Sequence, residues 1–248
     1  MNDLESYRKP NERIDDLQRD GLYILQDPNR FCFGMDAVLL SGFAEVRKNE
    51  RVLDLGTGTG ILPILLAGKT QGREFVGLEI QEESADMASR SVLMNGLQDR
   101  VKIINGDAQN AHETFGASSF DVVVSNPPYM KNQHGLKNEE DAKQIARHEI
   151  CGNLEDFIRE TAKVLKPKGR CYFVHRPFRI VDLMELMRKY KIEPKKMQLV
   201  HPYVDHEPNM VLIEGVRGGN PWLKVEPPLI VYDKPNVYSE EALRIYGK

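Results

Sequence analysis

Residues 51–60 read RVLDLGTGTG, an apolar run typical of a β-strand that leads into a turn with three glycines. A glycine-rich turn between a strand and a helix lets a ligand approach the backbone beside a helix N-terminus. The spacing is G-x-G-x-G, whereas dinucleotide sites that hold a pyrophosphate have G-x-G-x-x-G, and the turn contains no basic residue. Asp54 lies two residues before the first glycine. The turn therefore predicts a site for a nucleoside without phosphates, and the carboxylate suits a ligand with an ammonium group.

On both sides of this turn, strand-like runs alternate with segments of helical periodicity. Further strands are predicted at 75–79, 101–105, 120–125, 170–175, 198–202 and 210–215. Helices are predicted at 60–68, 81–95, 154–165 and 181–190, with Gly96 ending the second and Asn153 capping the third. This alternation is typical of βαβ units, so we predict a Rossmann-like α/β fold with helices on both faces of a mostly parallel sheet. The last two strands have no helix between them and are expected to be antiparallel.

Two regions lie outside this alternation. Residues 1–46 precede the first core strand and contain a possible hairpin from Leu22 to Cys32, followed by a helix that begins near Asp36. Residues 130–147 form a long polar stretch, where a lid or a substrate-binding loop is expected. We predict an N-terminal extension over residues 1–46 and a main domain over residues 47–248.

Acidic side chains occur where the next two predicted strands end. Glu79 ends the second strand, where a carboxylate can accept both hydroxyls of a ribose. Asp107 follows the third strand, where it can accept from an adenine amine beside the backbone N–H of Ala108. Alone, Glu79 is also compatible with a surface acid, and Asp107 with an ordinary Gly-Asp turn. Because open α/β sheets bind ligands at the carboxyl ends of their strands, we expect these side chains to lie together.

The fourth strand, 120–125, is followed by Asn126-Pro127-Pro128-Tyr129. Two consecutive prolines have no N–H to donate, fix φ near −65° and restrict the residue before them to extended geometry. The segment is stiff and exposes backbone carbonyls as acceptors, to which Asn126 adds an amide oxygen and Tyr129 an aromatic face. By itself the motif is equally compatible with a turn. At the carboxyl edge of the sheet it predicts a site for a planar group with an N–H₂.

Composition restricts the cellular setting. The chain has 248 residues, 41% of them hydrophobic, which suits one α/β domain with additions. No apolar run is long enough to span a membrane, and the start lacks the apolar stretch of a signal peptide. Three cysteines, Cys32, Cys151 and Cys171, lie far apart and include no CxxC pair for zinc. We therefore expect a cytoplasmic protein without a metal site.

Charge is distributed unevenly along the chain. Residues 1–126 carry a net charge of −7 and residues 127–248 a net charge of +4, and the stretch 159–196 holds 12 basic and 4 acidic residues. Such asymmetry indicates a polyanionic partner, although ordinary solvated helix faces also explain single lysines. We predict that the stretch 159–196, together with Arg147, contacts phosphates.

These motifs resemble the S-adenosylmethionine-dependent methyltransferases that act on planar amino groups. The resemblance rests on VLDLGTGTG, the strand-end Glu79, Gly106-Asp107 and NPPY. The segment FCFGMDAVLL at 31–40 is similar to the family segment that folds over the methionine end of the cofactor. One branch, the tRNA adenine-N6 methyltransferases that modify the adenosine beside the anticodon of a valine tRNA, is similar in further segments. These are RHE at 147–149, VHRP at 174–177 and the tail from 210 to 232.

The resemblance implies a seven-stranded methyltransferase sheet with its last strand antiparallel, S-adenosylmethionine as cofactor and tRNA as partner. The catalytic residues it implies are Asn126, Pro127, Pro128 and Tyr129. For the cofactor it implies Phe33, Asp36, Asp54, Gly56, Thr57, Gly58, Gly60, Glu79, Ile80, Asp107, Ala108 and Asn126. For the RNA it implies Lys131, Arg147, His175 and Arg176.

Other functions remain compatible with the motifs. A protein-glutamine N5-methyltransferase that acts on release factors also methylates a planar amide, but such enzymes usually carry a helical N-terminal domain. About fifty residues before residue 51 leave little room for one. A DNA adenine methyltransferase is expected to show a separate target-recognition domain. A dehydrogenase is disfavoured by the glycine spacing, and an RNA-binding module without catalysis would bind RNA but no cofactor.

Overall fold

A computed structural model describes residues 4–30, 32–128 and 153–247. The strands are β1 (Arg13–Asp16), β2 (Tyr23–Gln26), β3 (Arg51–Leu55), β4 (Glu74–Glu79), β5 (Val101–Asn105), β6 (Phe120–Ser125), β7 (Leu165–His175), β8 (Ile192–His201), β9 (Met210–Arg217), β10 (Lys224–Val225), β11 (Leu229–Ile230), β12 (Tyr232–Lys234) and β13 (Val237–Tyr238). The helices are α1 (Met35–Phe43), α2 (Ile61–Lys69), α3 (Glu82–Met94), α4 (Ala111–Phe115), α5 (Leu154–Val164), α6 (Ile180–Lys189) and α7 (Glu240–Tyr246).

One sheet organises the molecule, with the strand order β8-β9-β7-β6-β3-β4-β5 and the short strands β10 and β11 pairing with the outer side of β8. Neighbouring strands from β7 to β5 are parallel. β9 is antiparallel to both β7 and β8, which confirms the antiparallel arrangement expected for the last two core strands. The strands β3 to β8 therefore run in the same direction, and their carboxyl ends share one edge of the sheet. β9 ends at the opposite edge.

Side chains of the central strands alternate between two cores. Val122, Val124 and Tyr172 face a core completed by α1 and α2, and Val123 and Phe173 face a second core completed by α5 and α6. All five side chains are inaccessible to solvent. Burying one large apolar side chain stabilises a fold by roughly 1.5–3 kcal/mol, so the two cores hold the sheet rigidly between its helical layers. This is the α/β architecture that the alternating sequence predicts.

Helix ends follow the predicted signals. Gly96, just past α3, has φ +65°, a left-handed conformation that glycine adopts without strain. The Asn153 side chain accepts from the Asp156 N–H at 3.0 Å, and the Asp156 carboxylate accepts from the Asn153 N–H at 3.1 Å. These reciprocal bonds form a capping box, which confirms Asn153 as the cap of α5.

Some predicted bounds are wrong. The hairpin pairs β1 with β2, so it begins at Arg13 instead of Leu22. The sequence of β1 is RIDD, which is too polar for the strand to be predicted from an apolar pattern. β7 begins at Leu165, directly after α5, whereas the predicted strand begins at residue 170, after Pro167 and Gly169. A register shift against β6 accommodates the proline, and a Cβ on Gly169 would lie 2.9 Å from the Lys166 carbonyl oxygen and 3.1 Å from the Asp121 carbonyl oxygen. Within the described part of the chain, no helix is long and apolar enough to cross a membrane.

Candidate active site at the carboxyl edge of the sheet

Hydrogen bonds join the four predicted turns in the order of their strands. The Ser125 hydroxyl, at the end of β6, donates to the Leu55 carbonyl at the end of β3 over 2.7 Å. The N–H groups of Gly56 and Thr57 donate to the Leu78 carbonyl of β4 at 2.9 and 3.0 Å. The Gly106 N–H, after β5, donates to the Glu79 carbonyl at 2.9 Å. The structure thus brings the turns after β6, β3, β4 and β5 together at one edge, as the sequence predicts.

The glycine turn needs glycine at each of its three positions, for different reasons. Gly56, Gly58 and Gly60 have φ of +74°, +58° and +87°, which other residues adopt only with strain. A Cβ on Gly56 would lie 3.2 Å from the Phe157 ring, and one on Gly60 would lie 3.0 Å from the Ala88 Cβ. A Cβ on Gly58 would have nothing within 4 Å. The backbone at Gly58 is therefore open to a ligand, while its neighbours are packed against the protein.

Asp54 and Thr57 are buried beside this opening without hydrogen-bond partners. Both carboxylate oxygens of Asp54 and the Thr57 hydroxyl are inaccessible to solvent and unpartnered among the described residues. Burial raises the pKa of the Asp54 carboxyl to about 7, and the adjacent Thr57 hydroxyl, outside hydrogen-bond geometry, counteracts only part of this effect. A buried carboxylate without a partner is costly, which is consistent with the predicted ammonium partner from a ligand, and this role of Asp54 stays a prediction.

Glu79 is buried at the end of β4, and its carboxylate spans the glycine turn and the start of α3. Oε2 accepts from the Gly58 N–H at 2.8 Å, and Oε1 accepts from the Gln81 N–H at 2.9 Å. Burial nevertheless raises the pKa of Glu79 above its usual range. A carboxylate has about four acceptor positions, so both oxygens retain capacity for the two hydroxyls of a ribose.

The residues predicted to bind the cofactor after β5 and after β4 also have contacts within the protein. The Asp107 Oδ1 accepts from the Gln109 N–H at 2.8 Å and caps a short 3₁₀ turn, Ala108–Asn110. Ala108 is buried. The Ile80 carbonyl accepts from the Asn105 side chain at 3.1 Å. Asp107 thus has the turn role, and among the described residues its second oxygen makes only a long 3.4 Å contact with the Asn110 side chain.

The segment after β6 places Asn126 and Pro128 half-buried and Pro127 buried. Its start is fixed by the Ser125 bond to β3, so Asn126 follows the strand next to the one that carries the glycine turn. Tyr129, Lys131 and Arg147 lie outside the described residues. The catalytic role of the motif stays a prediction.

His175 and Arg176 lie at the end of β7, the strand next to β6. His175 is buried, and its Nδ1 accepts from the Arg176 N–H at 2.8 Å. Burial, followed by the nearby Arg179 and Arg176 charges, lowers the pKa of His175 to about 4. The ring is therefore neutral at physiological pH, with its proton on Nε2. The Arg176 guanidinium donates to the Asn209 carbonyl at 3.0 Å, which ties the loops after β7 and before β9.

Phe33 lies in the segment before α1, and Asp36 lies in the first turn of that helix. The Phe33 ring packs against the core and lines a cavity of about 240 Å³ with Val38, Leu65 and Tyr246. Asp36 lies in the first turn of α1, where its Oδ1 accepts from the Ala37 N–H at 2.9 Å. Their predicted cofactor contacts stay predictions.

Sequence reasoning missed the buried side chain of Gln26. Its Nε2 donates to the Thr59 Oγ1 of the glycine turn at 2.6 Å, and its Oε1 accepts from the Phe33 N–H at 3.0 Å. A polar residue at the end of an apolar strand was the available signal, but its partners lie 7 and 33 positions away.

The basic stretch 159–196 is not gathered at this edge. Lys166 and Lys168 start β7, Arg188 and Lys189 end α6, and Lys195 starts β8, which places them at the opposite edge of the sheet. Several are neutralised: Lys166 pairs with Asp121 at 2.7 Å and Lys189 with Glu155 at 2.6 Å. The stretch is therefore divided between the two edges of the sheet, and its contact with phosphates stays a prediction. Among the described residues, no three His, Cys, Asp or Glu side chains cluster as a metal site would require.

Comparison with known proteins identifies the family. The model of the methyltransferase small domain matches residues 29–192. The chain belongs to the methyltransferase small domain family. The match contains the predicted site residues from Phe33 to Arg176, whereas Gln26 lies before its first residue.

Curated relatives extend over most of this methyltransferase. A protein of Tolumonas auensis is 29% identical over 90% of this chain and 91% of its own length. Proteins of Porphyromonas gingivalis and Haemophilus influenzae are 28% and 26% identical, covering 86% and 90% of this chain and 86% and 93% of their own lengths. Each of the three is named tRNA1(Val) (adenine(37)-N6)-methyltransferase.

Solved structures share the fold. A predicted O-methyltransferase of Agrobacterium tumefaciens has a TM-score of 0.70 at 20% identity and covers 86% of this chain and 95% of its own. M. jannaschii TYW2, solved in complex with AdoMet, has a TM-score of 0.58 at 15% identity and covers 85% of this chain and 88% of its own. These similarities confirm the predicted Rossmann-like methyltransferase fold.

Proposed function

We propose that this methyltransferase transfers a methyl group from S-adenosylmethionine to the exocyclic N6 of an unpaired adenosine in the anticodon loop of a tRNA. The observation that carries the proposal is the position of Asn126-Pro127-Pro128 beside the glycine turn, at the ligand-binding edge of a methyltransferase sheet. The names of the relatives support the choice of tRNA and of adenine. The cytoplasmic setting, where tRNA is modified, remains part of the proposal.

The chain's own groups fit this cofactor. The unpartnered, buried carboxylate of Asp54 suits its ammonium group, and Glu79 has acceptor positions for its ribose hydroxyls. Asp107 and the Ala108 N–H, at the next strand end, suit the edge of its adenine. The β1–β2 hairpin and helix α1, both within residues 1–46, are proposed to cover the same site. When bound, the cofactor supplies a methyl group activated by a sulfonium.

For the target, the proposed role of the proline motif is positioning. An aromatic amine is a weak nucleophile because its lone pair is delocalised into the ring. The Asn126 side-chain oxygen and the Pro127 carbonyl can each accept one N–H, which holds the nitrogen and favours a pyramidal geometry. Positioning of this kind contributes roughly 7–11 kcal/mol in favourable cases. An anticodon loop presents its bases unpaired, so no duplex has to be opened.

The proposal is tested by incubating unmodified tRNA with the protein and labelled cofactor, then identifying methylated nucleosides by mass spectrometry. We expect N6-methyladenosine with the wild-type chain. The Asn126→Ala variant should lose turnover by at least a hundredfold while its affinity for S-adenosylhomocysteine changes less than threefold. Methylation of a release-factor glutamine in place of tRNA, or normal turnover in the variant, would refute the proposal.

A further inference from the structure

Gln26 is a polar residue sealed inside the protein, at the point where three segments meet. Its side chain is inaccessible to solvent. Nε2 donates to the Leu25 carbonyl at 2.8 Å and to the Thr59 Oγ1 at 2.6 Å, while Oε1 accepts from the Phe33 N–H at 3.0 Å. Since Phe33 offers a donor and the other two groups offer acceptors, the orientation of the amide is fixed. Gln26 thereby holds together β2, the glycine turn and the segment that leads into α1.

The bond to Thr59 also determines what the Thr59 hydroxyl can do. Its oxygen accepts from Gln26, so its own proton is left for another acceptor, and the described residues provide none. Thr59 follows Gly58, whose backbone borders open space, and lies two residues before Ile61, the first residue of α2. A hydroxyl proton beside a helix N-terminus favours a negatively charged group.

The glycine turn and the strand before it therefore carry two groups that prefer ligand groups of opposite charge. The unpartnered carboxylate of Asp54 suits a cation, and the hydroxyl proton of Thr59 suits an anion. An amino acid carries both groups on neighbouring atoms. The proposed cofactor ends in such an amino-acid group, whereas its nucleoside part belongs with Glu79 and Asp107 further along the edge.

We infer that Gln26 is a positioning residue that orients the Thr59 hydroxyl toward the carboxylate of the cofactor's amino-acid end. This inference rests on the proposed function. It predicts that Gln26 controls affinity for ligands that have the amino-acid end and has little influence on ligands that lack it. A purely structural role for Gln26 predicts equal losses for both kinds of ligand.

The experiment compares two ligands by isothermal titration calorimetry, S-adenosylhomocysteine and 5′-methylthioadenosine, which lacks the amino-acid end. In Gln26→Met we expect the affinity for S-adenosylhomocysteine to fall at least tenfold and that for 5′-methylthioadenosine to change less than twofold. Thr59→Val should reproduce this pattern, and Thr59→Ser, which keeps the hydroxyl, should restore wild-type affinity. If Gln26→Met does not fold, the two Thr59 variants decide the question.

Ser91→Ala is the matched control. The buried Ser91 hydroxyl accepts from the Leu25 N–H at 2.9 Å, so its loss loosens β2 from α3 without touching the glycine turn. The control should bind both ligands as the wild type does. Unchanged S-adenosylhomocysteine affinity in Gln26→Met and Thr59→Val, equal losses for both ligands, or the same losses in Ser91→Ala would overturn the inference. A wild-type protein that binds neither ligand would instead overturn the proposed function.

Discussion

Asp54 carries a buried carboxyl group whose ionisation opposes folding. An acid with a higher pKa in the folded state holds its proton more tightly there, so stability falls as pH rises from the unfolded to the folded value. For Asp54 this window extends from 3.8 to about 7. A shift of this size corresponds to at most about 4 kcal/mol between the two ends of the window.

We expect Asp54→Asn to remove most of this pH dependence. The free energy of unfolding, measured by urea titration at several pH values between about 4 and 7, should fall less steeply with pH in the variant than in the wild type. Glu79, whose pKa is also raised, titrates in both proteins, and because its charge contributes to the raised pKa of Asp54, the difference between the two profiles includes this interaction. Parallel pH profiles would show that Asp54 is not the titrating group.

Gly58 allows backbone strain to be separated from ligand access. Gly58 and Gly96 have φ of +58° and +65°, and a Cβ on either would meet nothing within 4 Å. Alanine at either position therefore costs a similar conformational strain, about 1 kcal/mol. Only Gly58 borders the candidate site.

Gly58→Ala and Gly96→Ala should therefore lower the unfolding free energy equally but differ in cofactor binding. We expect calorimetry with S-adenosylhomocysteine to show at least a tenfold loss for Gly58→Ala and no change for Gly96→Ala. Equal affinities in the two variants would mean that the ligand does not approach the backbone at Gly58.

At the scale of elements, the loop after β7 presents an aromatic side chain to solvent near the proline motif. Phe178 is 59% exposed and lies between Arg176 and Arg179, one strand away from Asn126. Exposed aromatic rings beside arginines are the usual platform for unpaired bases of RNA, and each stacked base contributes about 1–3 kcal/mol. Trp222, 77% exposed after β9, is a comparable aromatic at the opposite edge.

Phe178→Ala is expected to raise the KM for tRNA at least fivefold and to leave the affinity for S-adenosylhomocysteine unchanged. Trp222→Ala should change neither quantity, because β9 is antiparallel and ends away from the site. Steady-state kinetics with one tRNA transcript measures both variants. If the two variants behave alike, the loop after β7 is not part of the RNA surface.

The elements that sequence analysis predicted are those whose signals are local. β3 to β6 are mostly apolar runs followed by a glycine turn, an acidic residue or the Asn-Pro-Pro segment, and α5 starts at a capping box, so each is visible within a short window. β10 and β11 were not predicted because two-residue strands exist only through pairing with β8. The contacts of Gln26 were not predicted for the same reason, because Gln26 and its partners are separated in sequence and come together only in the folded protein.

At the scale of the whole molecule, the topology corrects the view of charge that composition suggests. The excess of cations in residues 159–196 is real, but alternating strand and helix directions distribute it over both edges. Arg176 and Arg179 lie at the edge with Asn126, whereas Arg188 and Lys189 lie at the other. Arg188 pairs with Glu193 at 3.5 Å and Lys189 with Glu155 at 2.6 Å. Arg179 likewise pairs with Asp182 at 2.5 Å, so position and not pairing distinguishes the two edges.

Salt dependence of tRNA binding distinguishes the two edges. Each phosphate contact adds nearly one unit to the slope of log K against log salt concentration. Arg176→Ala/Arg179→Ala should weaken binding at low salt and reduce the slope by one to two units, whereas Arg188→Ala/Lys189→Ala should leave both unchanged. Filter binding from about 50 to 200 mM salt gives the slopes. A reduced slope in the second variant alone would place the RNA on the opposite edge, because the number of released counterions follows the edge that the phosphates contact.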